Sequence, residues 1–205
     1  GSYSFDVSIK GDVIPAVKLN MGGMHNVENA LAAIAVASSL GIEKDKIRDA
    51  VASFRGVRRR FEYVLLNERI ALIDDYAHHP EELRALISSA KALFPDRHCT
   101  VVFQPHLFSR TRDLADGFAE SLDLADEVIL LPIYPARELP GAGVTSEMIL
   151  QRMKGERKGV MEKDAMLKWM ELNFSAKHGA KEVIIMAGAG DIDTMVQPVK
   201  GILEQ

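Results

Sequence analysis

Two carboxylates, a phenol and two imidazoles fall within Asp74-Asp75-Tyr76-Ala77-His78-His79-Pro80, between the apolar run Ile70-Ala71-Leu72-Ile73 and a segment of helical pattern that Pro80 opens. That density of titratable groups exceeds what a plain turn needs, although a strand-to-helix loop with incidental polar residues explains the same letters. Gln104-Pro105-His106-Leu107-Phe108-Ser109-Arg110-Thr111-Arg112 also links an apolar run to a helical pattern, with Ser109 or Thr111 able to cap. An anion bound there would meet a helix N-terminus and Arg110; the plain alternative makes Arg110 and Arg112 surface residues.

Three further stretches carry usable groups. In Gly23-Met24-His25-Asn26-Val27-Glu28-Asn29-Ala30, His25 and Asn29 lie one turn apart on one helical face. An asparagine amide offers the donor and acceptor that an adenine edge requires, while a helix cap at Asn26 with Asn29 exposed accounts for the pattern as well. Gly56-Val57-Arg58-Arg59-Arg60-Phe61-Glu62 supplies guanidinium forks suited to phosphate or carboxylate, or a solvated basic hinge. Gly188-Ala189-Gly190-Asp191 follows an apolar run but lacks the third glycine of a dinucleotide loop, so a tight turn with an Asp191 cap explains it equally. Adjacent His78 and His79 diverge in direction and lack the i, i+4 spacing of histidine metal ligands, so no metal site is expected. No G-x-S-x-G elbow is present to support serine hydrolase chemistry.

The elements that must position these groups follow from periodicity. Residues 3–10 alternate apolar and polar and 14–19 resume an apolar tendency, which predicts a strand pair; 27–40 and 44–54 read as helices ending near Gly41 and Gly56. From residue 61 strands and helices alternate. A hairpin over 61–66 and 69–73 is followed by helix 80–93, strand 99–103, helix 111–124, strand 127–131, helix 145–153, strand 158–161, helix 164–174, strand 182–186 and a closing helix after Gly190. This order predicts an α/β fold, a Rossmann-like and mostly parallel sheet with helices on both faces, preceded by a strand–helix tail. Ligands of such sheets sit at the carboxyl ends of the strands. The loops 74–80, 104–111, 132–144 and 188–191 all follow apolar runs, so they are expected on one rim.

A chain of 205 residues, 47% hydrophobic and 26% charged, is long enough for one good core and a second, smaller unit. Its net charge of −4 gives no electrostatic reason to expect nucleic acid as a partner. The lone Cys99, set among β-favouring residues, reads as buried filler and has no partner for an internal disulfide. No apolar run approaches the ~20 residues of a bilayer helix, and the start lacks the regions of a signal peptide, so no membrane association and a cytoplasmic location are expected.

Taken in order, the motifs at 23–29, 56–62, 74–80, 104–111 and 188–192 resemble the back half of the Mur ligase family, across nearly the whole chain. The most specific parts are Asp74-Asp75-Tyr76-Ala77-His78-His79-Pro80 and Gln104-Pro105-His106 with Ser109-Arg110-Thr111. The resemblance implies residues 1–56 as the end of a central ATP-binding domain and 57–205 as the C-terminal Rossmann-like domain. It implies a ligase of peptidoglycan synthesis that uses ATP to activate the sugar-linked carboxylate as an acyl phosphate. The small-molecule substrates it points to are UDP-N-acetylmuramate and L-alanine. No G-x-x-x-x-G-K-[ST] phosphate cradle occurs here, so Mg2+ is expected to be held mainly by upstream N-terminal domains, and the chain alone is expected to be inactive. By the same likeness His25 and Asn29 face adenine, Arg60 and Asp75 reach the nucleotide, and Tyr76, His79, His106, Ser109 and Arg110 meet the substrates, with His78, His79 and Arg110 catalytic. The near alternative is the murein tripeptide ligase of cell-wall recycling. From other classes come a nucleotide- or sugar-binding module without chemistry and a metal hydrolase using His78 and His79. Leu107 stands where many family members carry a second arginine, and Gly22 and Met24 replace a more usual proline and arginine.

Overall fold

The computed structural model describes residues 2–174 and 181–205, and the chain divides into two compact units, Gly1–Glu62 and Tyr63–Gln205. In the first, β1 (Tyr3–Ile9) and β2 (Asp12–Leu19) pair antiparallel, with a bulge between Phe5 and Val7. The bulge is stabilised by the Asp6 carboxylate, which accepts from Ala16 N at 2.8 Å. Helices α1 (Met24–Ser39) and α2 (Lys44–Ser53) complete the unit around Val7, Ile14, Val17, Ile34 and Ile47. Helix α1 stops as its glycine predicts: Gly41 N donates to Ser38 O and Ile42 N to Ala37 O, at 3.0 and 3.1 Å, with Gly41 at φ +76°. This is the paired bonding that satisfies the last carbonyls of a helix.

The second unit is built on a six-stranded sheet in the order β3-β4-β8-β5-β6-β7. Its strands are β3 (Glu62–Leu66), β4 (Ile70–Asp75), β5 (His98–Phe103), β6 (Glu127–Leu130), β7 (Lys158–Val160) and β8 (Glu182–Ala187). From β4 to β7 every pairing is parallel. The mixed α/β architecture with a mostly parallel sheet is the one expected from the alternation of elements. The short turn between β3 and β4 is held by the Asn67 side-chain oxygen Oδ1, which accepts from Arg69 N and Ile70 N at 2.9 and 2.7 Å.

Because successive side chains on a strand point to opposite faces, the buried strands serve two cores. Ile70, Leu72, Val102, Ile129, Ile184 and Met186 pack against α7 (Lys163–Phe174) and α8 (Asp193–Leu203). The alternate residues Ala71, Ile73, Val101, Phe103 and Ile185 are fully buried too, with the Phe103 ring 5.3 Å from that of Phe118 on α5 (Ala115–Leu122). Helix α5 packs on α3 (Pro80–Leu93): Ser121 Oγ donates to Pro80 O at 2.8 Å, and a Cβ on Gly117 would lie 3.0 Å from the Pro80 ring.

Two expected helices differ. The run 111–124 is two helices, α4 (Phe108–Asp113) and α5, separated by Leu114 at φ −118° and ψ 16°. The stretch 145–153 keeps only the short α6 (Glu147–Leu150), and Ser146 Oγ just before it donates to Leu131 O at 2.6 Å, closing the preceding loop.

Candidate functional site

Parallel register aligns the carboxyl ends of β4, β8, β5 and β6: Asp75 lies opposite Ala187, Ala187 opposite Phe103, and Phe103 opposite Leu130. The four loops that follow these strands therefore share one rim and touch. Gly188 N donates to Asp75 O at 3.1 Å, the His78 and His106 rings are 6.2 Å apart, and His106 stacks on Tyr134 at 5.7 Å.

At the end of β4, Asp74 and Asp75 are buried, and Asp75 Oδ1 accepts from Ala77 N at 2.8 Å, closing a tight turn. His79 is extended (φ −128°, ψ 148°), as a residue before proline must be, and Pro80 starts α3 where its missing N–H costs nothing. One carboxylate oxygen of Glu82 accepts from His78 N and His79 N at 2.9 and 3.1 Å. Glu82 was missed as a site residue, although glutamate three positions after the helix cap is a readable signal. His78 Nδ1 lies 2.9 Å from Tyr76 O, so a neutral His78 donates there and keeps Nε2 as an acceptor. Tyr76 is partly exposed and meets His78 edge-on.

After β5, the side chain of Gln104 is buried and clamps the β8 loop. Its Nε2 donates to Asp191 Oδ1 at 2.8 Å, and its Oε1 accepts from Ile192 N at 2.9 Å. A Cβ on Gly190 would come within 2.5 Å of Gln104 Oε1 and 2.6 Å of Tyr134 Cβ, and one on Gly188 within 2.8 Å of Gln104 O. These glycines thus serve close packing beneath the rim. Burial alone would raise the Asp191 pKa, but bonds from Lys163, at 2.7 Å, and Gln104 hold it below the usual carboxylate range.

Leu107 adopts φ +72°, rare for a branched residue, and stands at the N-cap of α4 without a side-chain cap. Neither expected cap is used: Thr111 is buried inside the helix, with Oγ1 donating to Leu107 O at 2.8 Å, and Ser109 lies in the first turn. Ser109 N and Oγ both donate to Glu138, at 2.9 and 2.5 Å, so a protein carboxylate occupies the place expected for a bound anion. Arg112 pairs with Asp113 on the surface, whereas Nη1 of Arg110 is buried with no hydrogen-bond partner among the described residues. His106 Nδ1 is in the same condition. Burial, then the charges of Arg110 and His78, push the His106 pKa below 6.5 against a smaller opposing pull from Glu138.

The remaining candidates, His25, Asn29 and Arg60, belong to the first unit, where all three line one cavity of about 710 Å³ with Leu19, Met21 and Phe54 among its walls. The N-cap of α1 is Gly23, at φ +87°, not Asn26; the buried Asn26 side chain donates to Gly22 O at 2.7 Å and also lines the cavity. Nothing local in the sequence separates Asn26 from Asn29, since both readings place an amide on the first turns. Arg60 follows a turn in which its N–H donates to Val57 O at 3.1 Å, flanked by Arg59 and Phe61 at φ +58° and +50°. The Phe61 ring is buried against Gly22, where a Cβ would lie 2.0 Å from it. Among the described residues no group of three His, Cys, Asp or Glu side chains converges as a metal site, and no helix is long and apolar enough to cross a membrane.

Residues 59–190 match the family model described as Mur ligase, glutamate ligase domain. The chain is 48% identical over 190 residues to the UDP-N-acetylmuramate--L-alanine ligase of Cytophaga hutchinsonii, covering 92% of this chain and 39% of that protein. With the ligase of the same name from Flavobacterium johnsoniae the identity is 44%, over 100% of this chain and 44% of the relative. Among solved structures, the UDP-N-acetylmuramate-alanine ligase of Thermotoga maritima superposes with a TM-score of 0.70 at 35% identity, covering 92% of this chain and 39% of that one. A murein peptide ligase of Psychrobacter arcticus gives 0.59 at 26%, over 98% and 42%. The chain thus spans about two fifths of the length of the curated relatives it matches.

Proposed function

The chain belongs to the Mur ligase family, and from that premise we propose that it is the C-terminal part of a cytoplasmic, ATP-dependent ligase that joins L-alanine to UDP-N-acetylmuramate in peptidoglycan synthesis. The observation that carries this reading is the rim itself, where Arg110 presents a buried, unpartnered Nη1 beside His106, whose pKa is pushed down, in a chain 44 to 48% identical to relatives of that name. A guanidinium so placed fits a carboxylate, and charge-assisted hydrogen bonds of this kind are the strong ones. His78, held through Nδ1 by Tyr76 O, can take a proton at Nε2 from the attacking amine. His79, Tyr76 and His106 surround the same rim and orient the substrates. Ser109 lies next to Arg110 with both of its donors engaged.

ATP converts the carboxylate of the sugar substrate to an acyl phosphate with release of ADP, and the amino group of L-alanine then attacks the acyl carbon, forming the amide, displacing phosphate and giving up a proton. The cavity of the first unit, apolar with the Asn29 amide and His25 at its wall, fits a purine ring, and Arg60 on the same wall supplies positive charge for phosphate. Asp75, in the second unit, is assigned to the nucleotide on the likeness to the family alone. Mg2+ and the triphosphate cradle are assigned to upstream N-terminal domains, so the chain alone turns over no ATP.

The test uses the longer protein that contains this chain. Arg110→Ala raises the KM for UDP-N-acetylmuramate or L-alanine by about ten- to a hundredfold, the worth of one or two charge-assisted bonds, with little change in the KM for ATP. Arg60→Ala and Asp75→Ala show the reverse split. Indistinguishable kinetics for the three variants refute the division of roles, and tight binding of ATP to the isolated chain by calorimetry would favour a simple nucleotide-binding module.

A further inference from the structure

Helix α4, which carries Arg110, is only six residues long and has no side-chain cap of its own. A helix that short does not hold its shape alone, and its first N–H groups need an acceptor from elsewhere. The loop 132–144 supplies one. It is tied to the motif at two points before it reaches α4, through Tyr134 N to Pro105 O at 2.8 Å and Leu107 N to Tyr134 O at 2.9 Å. It then turns at Pro135, whose carbonyl accepts from Glu138 N at 2.9 Å, and delivers the Glu138 carboxylate to Ser109 N and Oγ. Arg110, the next residue, forms no ion pair among the described residues, and its Nη1 is buried without a partner. Each Glu138 carboxylate oxygen accepts from Ser109, Phe108 N–H adds a further donor, and the arginine whose charge is coupled to Glu138 is Arg112 on the surface.

We propose that Glu138 is a positioning residue: by gripping Ser109 it fixes α4, aims the Arg110 guanidinium at the rim and leaves that guanidinium free for the carboxylate of a substrate. The inference rests on the reading of Arg110 as a carboxylate holder. Glu138 acts through Ser109 and touches no substrate itself, and the loop after β6 becomes part of the machinery.

Two measurements test it. In the 205-residue chain, Glu138→Ala and Ser109→Ala shift the Ser109 or Arg110 backbone amide resonances and the Arg110 Nε–H resonance, while Glu138→Gln, which still accepts from Ser109 N, retains most of the native pattern. Unshifted Arg110 signals in Glu138→Ala overturn the proposal whatever the substrate is. In the longer protein, Glu138→Ala raises the KM for one carboxylate-bearing substrate at least about fivefold, with the KM for ATP and kcat within about twofold, and Glu138→Gln restores it. Equal damage from Gln and Ala, or a matching rise in the KM for ATP, overturns the positioning role. Inactivity of the unaltered longer protein toward UDP-N-acetylmuramate and L-alanine would instead overturn the ligase reading, leaving the resonance shifts to decide the role of Glu138.

Discussion

His106 shows how single side chains on the rim are tuned by their neighbours. Burial, then the positive charges of Arg110 and His78, lower its pKa, and Glu138 pulls weakly the other way. In an NMR titration His106 therefore titrates below 6.5, and Arg110→Ala moves its midpoint upward. A group whose folded pKa is depressed contributes stability above its unfolded value that is lost as pH falls through the folded one. The contribution of His106 accordingly fades as pH drops below 6.5. Glycines act at the same scale: Gly190→Ala would push a methyl into Gln104 and Tyr134, an overpacking cost of about 1–3 kcal/mol readable as a lower denaturant midpoint at unchanged slope. The dense cluster Asp74–His79 announced itself by residue type. Glu138 did not, because its partner Ser109 is 29 positions away and only the folded loop brings them together.

Among the elements, the strands were legible because their apolar runs are buried on both faces, as a parallel sheet requires. The periodicity over 111–124 crosses Leu114 unbroken and predicts one continuous helix, whereas the structure separates a short helix fixed on the rim from α5 packed under α3. That packing has a testable joint. Ser121 Oγ, buried and donating to Pro80 O at 2.8 Å, ties α5 to the first turn of α3 and so to the histidine loop. Ser121→Ala costs about 0.5–1.5 kcal/mol in urea unfolding. It also speeds hydrogen exchange at the His78 and His79 amides; unchanged exchange there would show that α5 does not steady the loop.

At the scale of the whole molecule, the sheet of the second unit encloses Cys99, whose thiol pKa burial pushes up to about 12. In the folded protein at pH 8 the thiol resists alkylation, and its reactivity appears with global unfolding, which makes its alkylation rate a reporter of the core. Stability falls as pH rises above the ordinary thiol value of 9.0, because the unfolded chain releases the proton first. The fold and the rim were readable from the alternation of elements and the family from motif order; the assignment of Asn26 and Glu138 needed three-dimensional contacts. The central claim, an ATP-driven amide bond between UDP-N-acetylmuramate and L-alanine, is tested most directly by mass spectrometry of products from the longer protein. The account predicts UDP-N-acetylmuramyl-L-alanine with one ADP and one phosphate released per amide formed. A product formed only from a murein tripeptide, or no amide product while ATP stays intact, would contradict it.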